Sequence, residues 1–99
     1  SPTLRIAGHA DSDGSEDYNL QLSKDRARAI ADYIVYFGRI PAARIETFGY
    51  GSTRPIVKEI TENDKALNRR VEFELYRPSR EELELMRKEI REEVVDDWN

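Results

Sequence analysis

Asp11 and Arg26 stand fifteen positions apart in the run GHADSDGSEDYNLQLSKDRARAI. The aspartate follows a strand-like run, Leu4-Arg5-Ile6-Ala7. The arginine falls inside a helical pattern, on a stripe (positions 22, 26, 30, 33 and 37) that is otherwise apolar or aromatic. An ionised carboxylate accepts from an ammonium, and a guanidinium offers a rigid fork of donors to a carboxylate. One fixed anion and one fixed cation on adjoining elements would therefore hold a ligand carrying both groups. Asn19 and Leu22 share the side of the helix that carries Arg26, so these three are expected to line the helix end nearest the loop of Asp11. The same spacing admits a plainer reading, an internal Asp11–Arg26 salt bridge that closes the loop. Spacing alone leaves both open, and the first describes a binding module rather than an enzyme.

The elements that must position these residues are legible from periodicity. Leu4, Ile6 and Gly8 alternate with Arg5, Ala7 and His9, a short strand. The polar stretch 11–17 offers Asp13, Ser15 and Asp17 as helix N-caps. From Tyr18 to Phe37 the period is helical, with Leu22, Ile30, Tyr33, Ile34 and Phe37 on one side as core, and Gly38 as a left-handed cap. Residues 44–50 read as a second strand. A strand–helix–strand unit with short joints predicts a right-handed crossover and a parallel pair. Residues 51–67 form a long connection, held by its own side chains or functional. Val71, Phe73 and Leu75 alternate with charged neighbours as a third strand. Ser79-Arg80-Glu81-Glu82 has capping-box spacing, and Leu83, Met86, Ile90 and Val94 stripe the helix that follows. The expected fold is α+β: a two-layer sandwich, β-α-β-β-α, with a three-stranded mixed sheet and helices on one face. Residues 1–78 would be the core, and residues 79–99 an amphipathic helix packing on the same domain.

Composition bounds the function. Ninety-nine residues support one modest core, and the absence of cysteine excludes disulfides and thiolate metal sites. No apolar run approaches the roughly 20 residues that cross a bilayer. Residues 79–97 hold eight acids against four bases, leaving twelve of each elsewhere, so the whole net charge of -4 lies in that segment. A neutral body without a basic face does not suit nucleic acid. Asp11–Glu16 mimics a calcium loop, but Glu16 and Leu22 occupy the sixth and twelfth places, where glycine and glutamate are needed. No nucleophile elbow, phosphate-cradling loop or paired glycosidase carboxylates can be nominated, and no cofactor is expected. His9 reads as a structural hydrogen-bonding residue, and Tyr50 as a brace for either the pocket or the long connection.

The combination Gly8-His9-Ala10-Asp11, Tyr18-Asn19, Leu22-Ser23, Arg26-Ala27, Gly49-Tyr50-Gly51, Arg54-Pro55 and Asn68-Arg69-Arg70-Val71-Glu72 closely resembles the OmpA-like C-terminal domain family, which includes peptidoglycan-associated lipoprotein and MotB. The resemblance covers roughly residues 4–76. It implies non-covalent binding of peptidoglycan, anchoring the outer membrane or an envelope complex to the wall from the periplasm. It further implies that Asp11 and Arg26 grip the ammonium and carboxylate of diaminopimelate in the stem peptide. Asn19 would add a hydrogen bond, Arg69 would face the same pocket, and Leu22 and Ala10 would border it. Ala10 stands where the family more often has threonine, which predicts a weaker site. The family also begins with a strand and a helix that have no counterpart here. The third strand would lie antiparallel beside the first, and the edge beside residues 71–76 would then be open, as in a permuted or trimmed domain or a homodimer closed across chains. A reading from another class keeps the scaffold without the ligand, as a structural or protein-interaction module with Trp98 as its anchor.

Overall fold

Strands β1 (Thr3–Gly8), β2 (Ile45–Gly49) and β3 (Val71–Tyr76) form one open sheet in the order β2-β1-β3. The structure is a computed structural model and describes residues 2–98, with the side chains of residues 2–91. β1 runs parallel to β2 and antiparallel to β3, setting Ile6 beside Thr47 and Phe73, and Gly8 beside Gly49 and Val71. The parallel pairing is the one the crossover rule predicts, and the antiparallel one is the placement that the resemblance implies. Helix α1 (Glu16–Gly38) makes the crossover, and a 3-10 turn (Ala42–Arg44) leads into β2. Ser15 caps α1 by accepting from Tyr18 N at 3.2 Å, while Glu16 and Asp17 face the positive end of the helix dipole. The left-handed residue after α1 is Arg39 (φ 55°), one position beyond the glycine expected there.

The glycines at the strand ends decide which face of α1 is buried. A Cβ on Gly8 would lie 2.1 Å from the Ser23 carbonyl oxygen, and one on Gly49 would lie 2.5 Å from Lys24 N. The helix backbone thus rests directly on the ends of β1 and β2, and only small or short polar side chains fit beneath it. The buried row is Asn19, Ser23, Ala27 and Ala31. Ile6 and Ala27 are fully buried at its centre, with Leu4, Ile30, Ile34, Ile45 and Val71 packed around them. The expected core stripe through Tyr33 and Phe37 is overturned: these rings are 63% and 65% exposed and pack on each other at 4.5 Å on the flank of the helix.

Two further corrections concern the second half of the chain. The long connection contains a helix, α2 (Glu62–Asn68), capped by a reciprocal box in which Thr61 Oγ1 accepts from Asp64 N and Asp64 Oδ2 accepts from Thr61 N at 2.9 Å. The element order is therefore β-α-β-α-β-α. Helix α3 (Arg80–Trp98) starts as expected, with Ser79 Oγ accepting from Glu82 N at 3.1 Å, but it does not lie on the sheet. Leu83, Met86 and Ile90 are exposed, and the molecule extends 58 × 29 × 24 Å. The Glu82 carboxylate bonds Tyr76 Oη, and Arg5 stacks over the Tyr76 ring, so the root of α3 is pinned to β3 while its body projects. Val94 and Trp98 fall outside the residues whose side chains are described. With α1 on one sheet face and α2 at the end of the strands, the second face carries no helix among the described residues.

Candidate functional site

Asp11 follows β1 at the carboxyl end of the parallel pair, where open sheets commonly place ligands. It is 7% exposed. Its Oδ2 accepts from Arg69 Nη1 at 2.6 Å, and its Oδ1 accepts from Asp13 N at 2.9 Å. The hydrogen bond from Arg69, with a smaller contribution from the Asp13 amide, holds the Asp11 carboxyl below the ordinary carboxylate range against the opposing effect of burial. Arg69 can reach it because α2 ends at Asn68 and Arg69 itself turns into extended backbone (φ -78°, ψ 90°).

The rest of the loop is locked from three sides. Asn19, from the first turn of α1, donates through Nδ2 to Asp13 O (2.7 Å) and Asp11 O (3.4 Å). Lys65 on α2 pairs with Asp13 at 3.1 Å. Ser12 donates its hydroxyl to Glu59 at 2.6 Å, and the hydrogen bonds from Ser12 and Asn68 hold the Glu59 carboxyl below its usual range. Asn68, fully buried, is the hub: its Oδ1 accepts from Ile56 N and Val57 N, and its Nδ2 donates to Val57 O and Glu59 Oε2. Ser23, equally buried, accepts from Gly51 N at 2.9 Å and donates to Leu20 O.

The structure brings Asp11, Asn19 and Arg69 together, with Ala10 buried behind them and bonded to Gly51 O through its amide at 2.8 Å. Leu22 is half-buried. Arg26 is exposed and makes no hydrogen bond or ion pair with any described residue. The internal Asp11–Arg26 salt bridge is therefore not formed; Arg69 takes that place. The reason lies in the helix face: the buried row runs through Ser23 and Ala27, which leaves Arg26 on the flank. Seven residues past Asn19, Arg26 still lies within about 20° of it around the helix and about 10 Å along the axis. Its Cβ also tilts back toward the helix N-terminus, which is the end where Asp11 lies.

Sequence reasoning missed Asn68, Ser23 and Glu59 as the frame of the site. The signal for Asn68 was a polar residue at the last position of a capped segment. Ser23 was visible only as a small residue in register with the glycines opposite. Nothing in local pattern marks Glu59, because its partner Ser12 lies 47 positions away.

Residues 1–69 match the OmpA family, and the chain belongs to that family. It is 39% identical over 75 residues to outer membrane porin F of Pseudomonas aeruginosa, covering 76% of this chain and 21% of that protein. It is 45% identical over 70 residues to the peptidoglycan-binding protein ArfA of Mycobacterium tuberculosis, covering 71% of this chain and 21% of the relative. The chain thus spans about a fifth of the length of these relatives. The crystal structure of the peptidoglycan-associated lipoprotein from Burkholderia pseudomallei superposes with a TM-score of 0.71 at 28% identity, over 76% of this chain and 63% of that one.

Proposed function

We propose that this chain binds peptidoglycan non-covalently and serves as a wall anchor for an envelope protein, without performing chemistry on the polymer. On this reading it works in the periplasm beside the outer membrane or cell wall. The reading is supported by family membership and by relatives whose names state peptidoglycan binding or association. The single observation that carries the site assignment is an asymmetry of pairing. Asp11 is buried and fixed by two hydrogen bonds, whereas Arg26, on the same helix side as Asn19, is exposed and holds no partner among the described residues.

Each Asp11 oxygen retains one lone pair beyond the bond it already accepts, so the carboxylate can take an ammonium without losing Arg69. Arg26 supplies the fork for the carboxylate of the same ligand, and diaminopimelate in the stem peptide presents both groups at one centre. Leu22 and Ala10 border this grip, and Arg69 keeps Asp11 ionised. Asn19 has a different role from the expected one: both bonds of its amide nitrogen go to loop carbonyls, so its Oδ1 is the atom left to face a ligand. Charge-assisted hydrogen bonds contribute about 1.5–3 kcal/mol each. Two or three of them, less an association cost of about 4 kcal/mol or more, leave at most about 5 kcal/mol, a single-site Kd of about 0.2 mM or weaker. A polymer that repeats its stem peptide turns such a site into a firm anchor through avidity.

The test is sedimentation with insoluble cell wall. The wild-type chain should pellet, while Asp11→Ala and Arg26→Ala should remain largely in the supernatant, with Arg26→Ala still folded because its side chain holds nothing internal. A scaffold or protein-interaction module is the second reading. It is favoured by the Asp11–Arg69 bond, which already satisfies the carboxylate internally, and by the exposed stripe on α3. Equal sedimentation of both variants and wild type would reject the Asp11–Arg26 grip. Failure of wild type to sediment at all would favour that second reading.

A further inference from the structure

The face of the sheet opposite α1 carries a groove of about 910 Å³ between the β1–β2 and β1–β3 pairs, in the size range of small-ligand sites. Arg5, His9 and Arg70 line it, and each has a ring or guanidinium nitrogen shielded from solvent with no hydrogen-bond partner among the described residues: Arg5 Nε, His9 Nδ1 and Arg70 Nε. Among the described residues, the unpartnered buried side-chain nitrogens and oxygens all belong to these three residues. His9 is 2% exposed, and its other nitrogen stands 2.8 Å from Glu72 Oε2. Arg5 Nε is 3.7 Å from Glu46, too far for a hydrogen bond. Buried polar groups are nearly always satisfied, so a cluster of orphans on one groove calls for an explanation.

The groove has two other properties. Phe48, Tyr50 and His9 form a ladder of rings, Phe48 on Tyr50 at 6.2 Å and 8°, and Tyr50 on His9 at 5.4 Å and 25°. Its formal charges cancel, with Arg5, Arg54 and Arg70 against Glu46, Glu72 and Glu74. A neutral ligand with an apolar face for the rings and a rim of both donors and acceptors meets all these conditions. Carbonyl oxygens would accept from the arginine Nε–H groups, and hydroxyls would donate to the exposed glutamates and to His9 Nδ1, the acceptor nitrogen of a neutral ring whose Nε2–H faces Glu72. We infer that this groove is a saccharide subsite, selective for neutral N-acetylated sugars, separate from the Asp11 site at the carboxyl end of the parallel strands. Burial and the charge of Arg70 push His9 below its ordinary pKa, against the pull of Glu72, so the imidazole is neutral at pH 7 and adds no charge to the groove. The Arg54 side chain, exposed and stacked 3.7 Å above Tyr50, is the group an incoming ring displaces. That the natural saccharide is the glycan of the wall itself rests on the function proposed above; the subsite does not.

The experiment is an NMR titration of the isotope-labelled full chain with tetra-N-acetylchitotetraose, which carries no peptide, and in parallel with a diaminopimelate-containing tripeptide, which carries no sugar. The saccharide should shift amide resonances of Ala7, His9, Phe48 and Glu72, and should move the His9 Nδ1 signal as it gains a hydroxyl donor, leaving Asn19 and Arg26 in place. Phe48→Ala and Glu72→Gln should each weaken saccharide binding at least fivefold without changing tripeptide binding. Glu72 is exposed, so Glu72→Gln carries the test if Phe48→Ala fails to fold. Absence of groove shifts at a saccharide concentration of about 10 mM, well above a weak single-site Kd, overturns the inference whatever the tripeptide does. So do shifts confined to the Asp11 site, or groove shifts produced by the tripeptide instead. A silent tripeptide with an active saccharide would overturn the Asp11–Arg26 grip alone.

Discussion

A histidine enclosed by an arginine, a second arginine and a single glutamate is held neutral by its surroundings, and His9 shows what that does to stability. Burial is the first cause of its lowered pKa and the charge of Arg70 the second, with Glu72 opposing both. Below the ordinary value of 6.5 the unfolded chain takes up a proton that the folded chain resists, so the stability His9 supports is fully present above that pH and is lost as pH falls toward the folded pKa. Asp11 acts with the same sign lower down. The bond from Arg69 depresses its folded pKa, so its contribution persists above 3.8 and is lost as pH drops from there through the folded value. Glu59 and Asp64 are lowered by hydrogen bonds from Ser12 and from the Thr61 amide respectively, and they join the lower step. Urea midpoints measured from pH 8 to pH 3 should therefore fall in two stages. Because His9 is the only histidine, His9→Gln should remove the upper stage and leave the lower one. A single decline confined to the carboxylate range in the wild type would contradict this account of His9.

At the scale of elements, the approach of α1 to the sheet is the feature on which the site depends, since it fixes Asn19 over the loop and turns Arg26 to the flank. That approach has almost no slack. Gly8→Ala would put a methyl 2.1 Å from a backbone oxygen that cannot rotate away. The helix would have to lift, at a cost of about 3 kcal/mol or more by analogy with severe overpacking, and a thermal melt should show the loss directly. The same contact explains what sequence could and could not tell. Strand alternation, the crossover and the caps at Ser15 and Ser79 are local signals, and the structure contains them. Which face of α1 goes inward is a contest between large apolar side chains and close backbone approach, and periodicity scores only the first; hence Tyr33 and Phe37 read as core although they are exposed. Helix α2 was legible in Thr61-x-x-Asp64, yet it is short and has no apolar period to draw attention. The site was legible in part: Asp11 and Asn19 come from one stretch of chain, whereas Arg69 reaches Asp11 across 58 positions, a distance that local spacing cannot span.

For the whole molecule, charge and shape separate α3 from the body. The radius of gyration is 17.6 Å, against about 13 Å expected for a compact domain of this length. A 19-residue helix measures about 28 Å, enough to account for the elongation. Its stripe of Leu83, Met86 and Ile90 is exposed, while Phe73 and Leu75 are exposed on the α1 side of β3. Neither surface covers the other among the described residues, so residues 80–91 of α3 contribute little to the stability of the body beyond the contact between Tyr76 and Glu82 at the root of the helix. What it does supply is charge, because the net -4 of the chain resides in residues 79–97 and the remainder is neutral. Ending the chain at Pro78 should therefore shift the thermal midpoint by no more than a few degrees, about what a sub-kilocalorie change gives in a domain this small. It should leave sedimentation with cell wall intact, because Asp11, Asn19, Arg26 and Arg69 all remain. Solubility should fall sharply near neutral pH, since a body without net charge that exposes Phe73 and Leu75 lacks the repulsion that keeps copies apart. Light scattering at matched concentration would show this, and raising the pH to restore a negative charge should reverse it. A large drop in the midpoint would instead mean that α3 packs against the body in solution and shares its core.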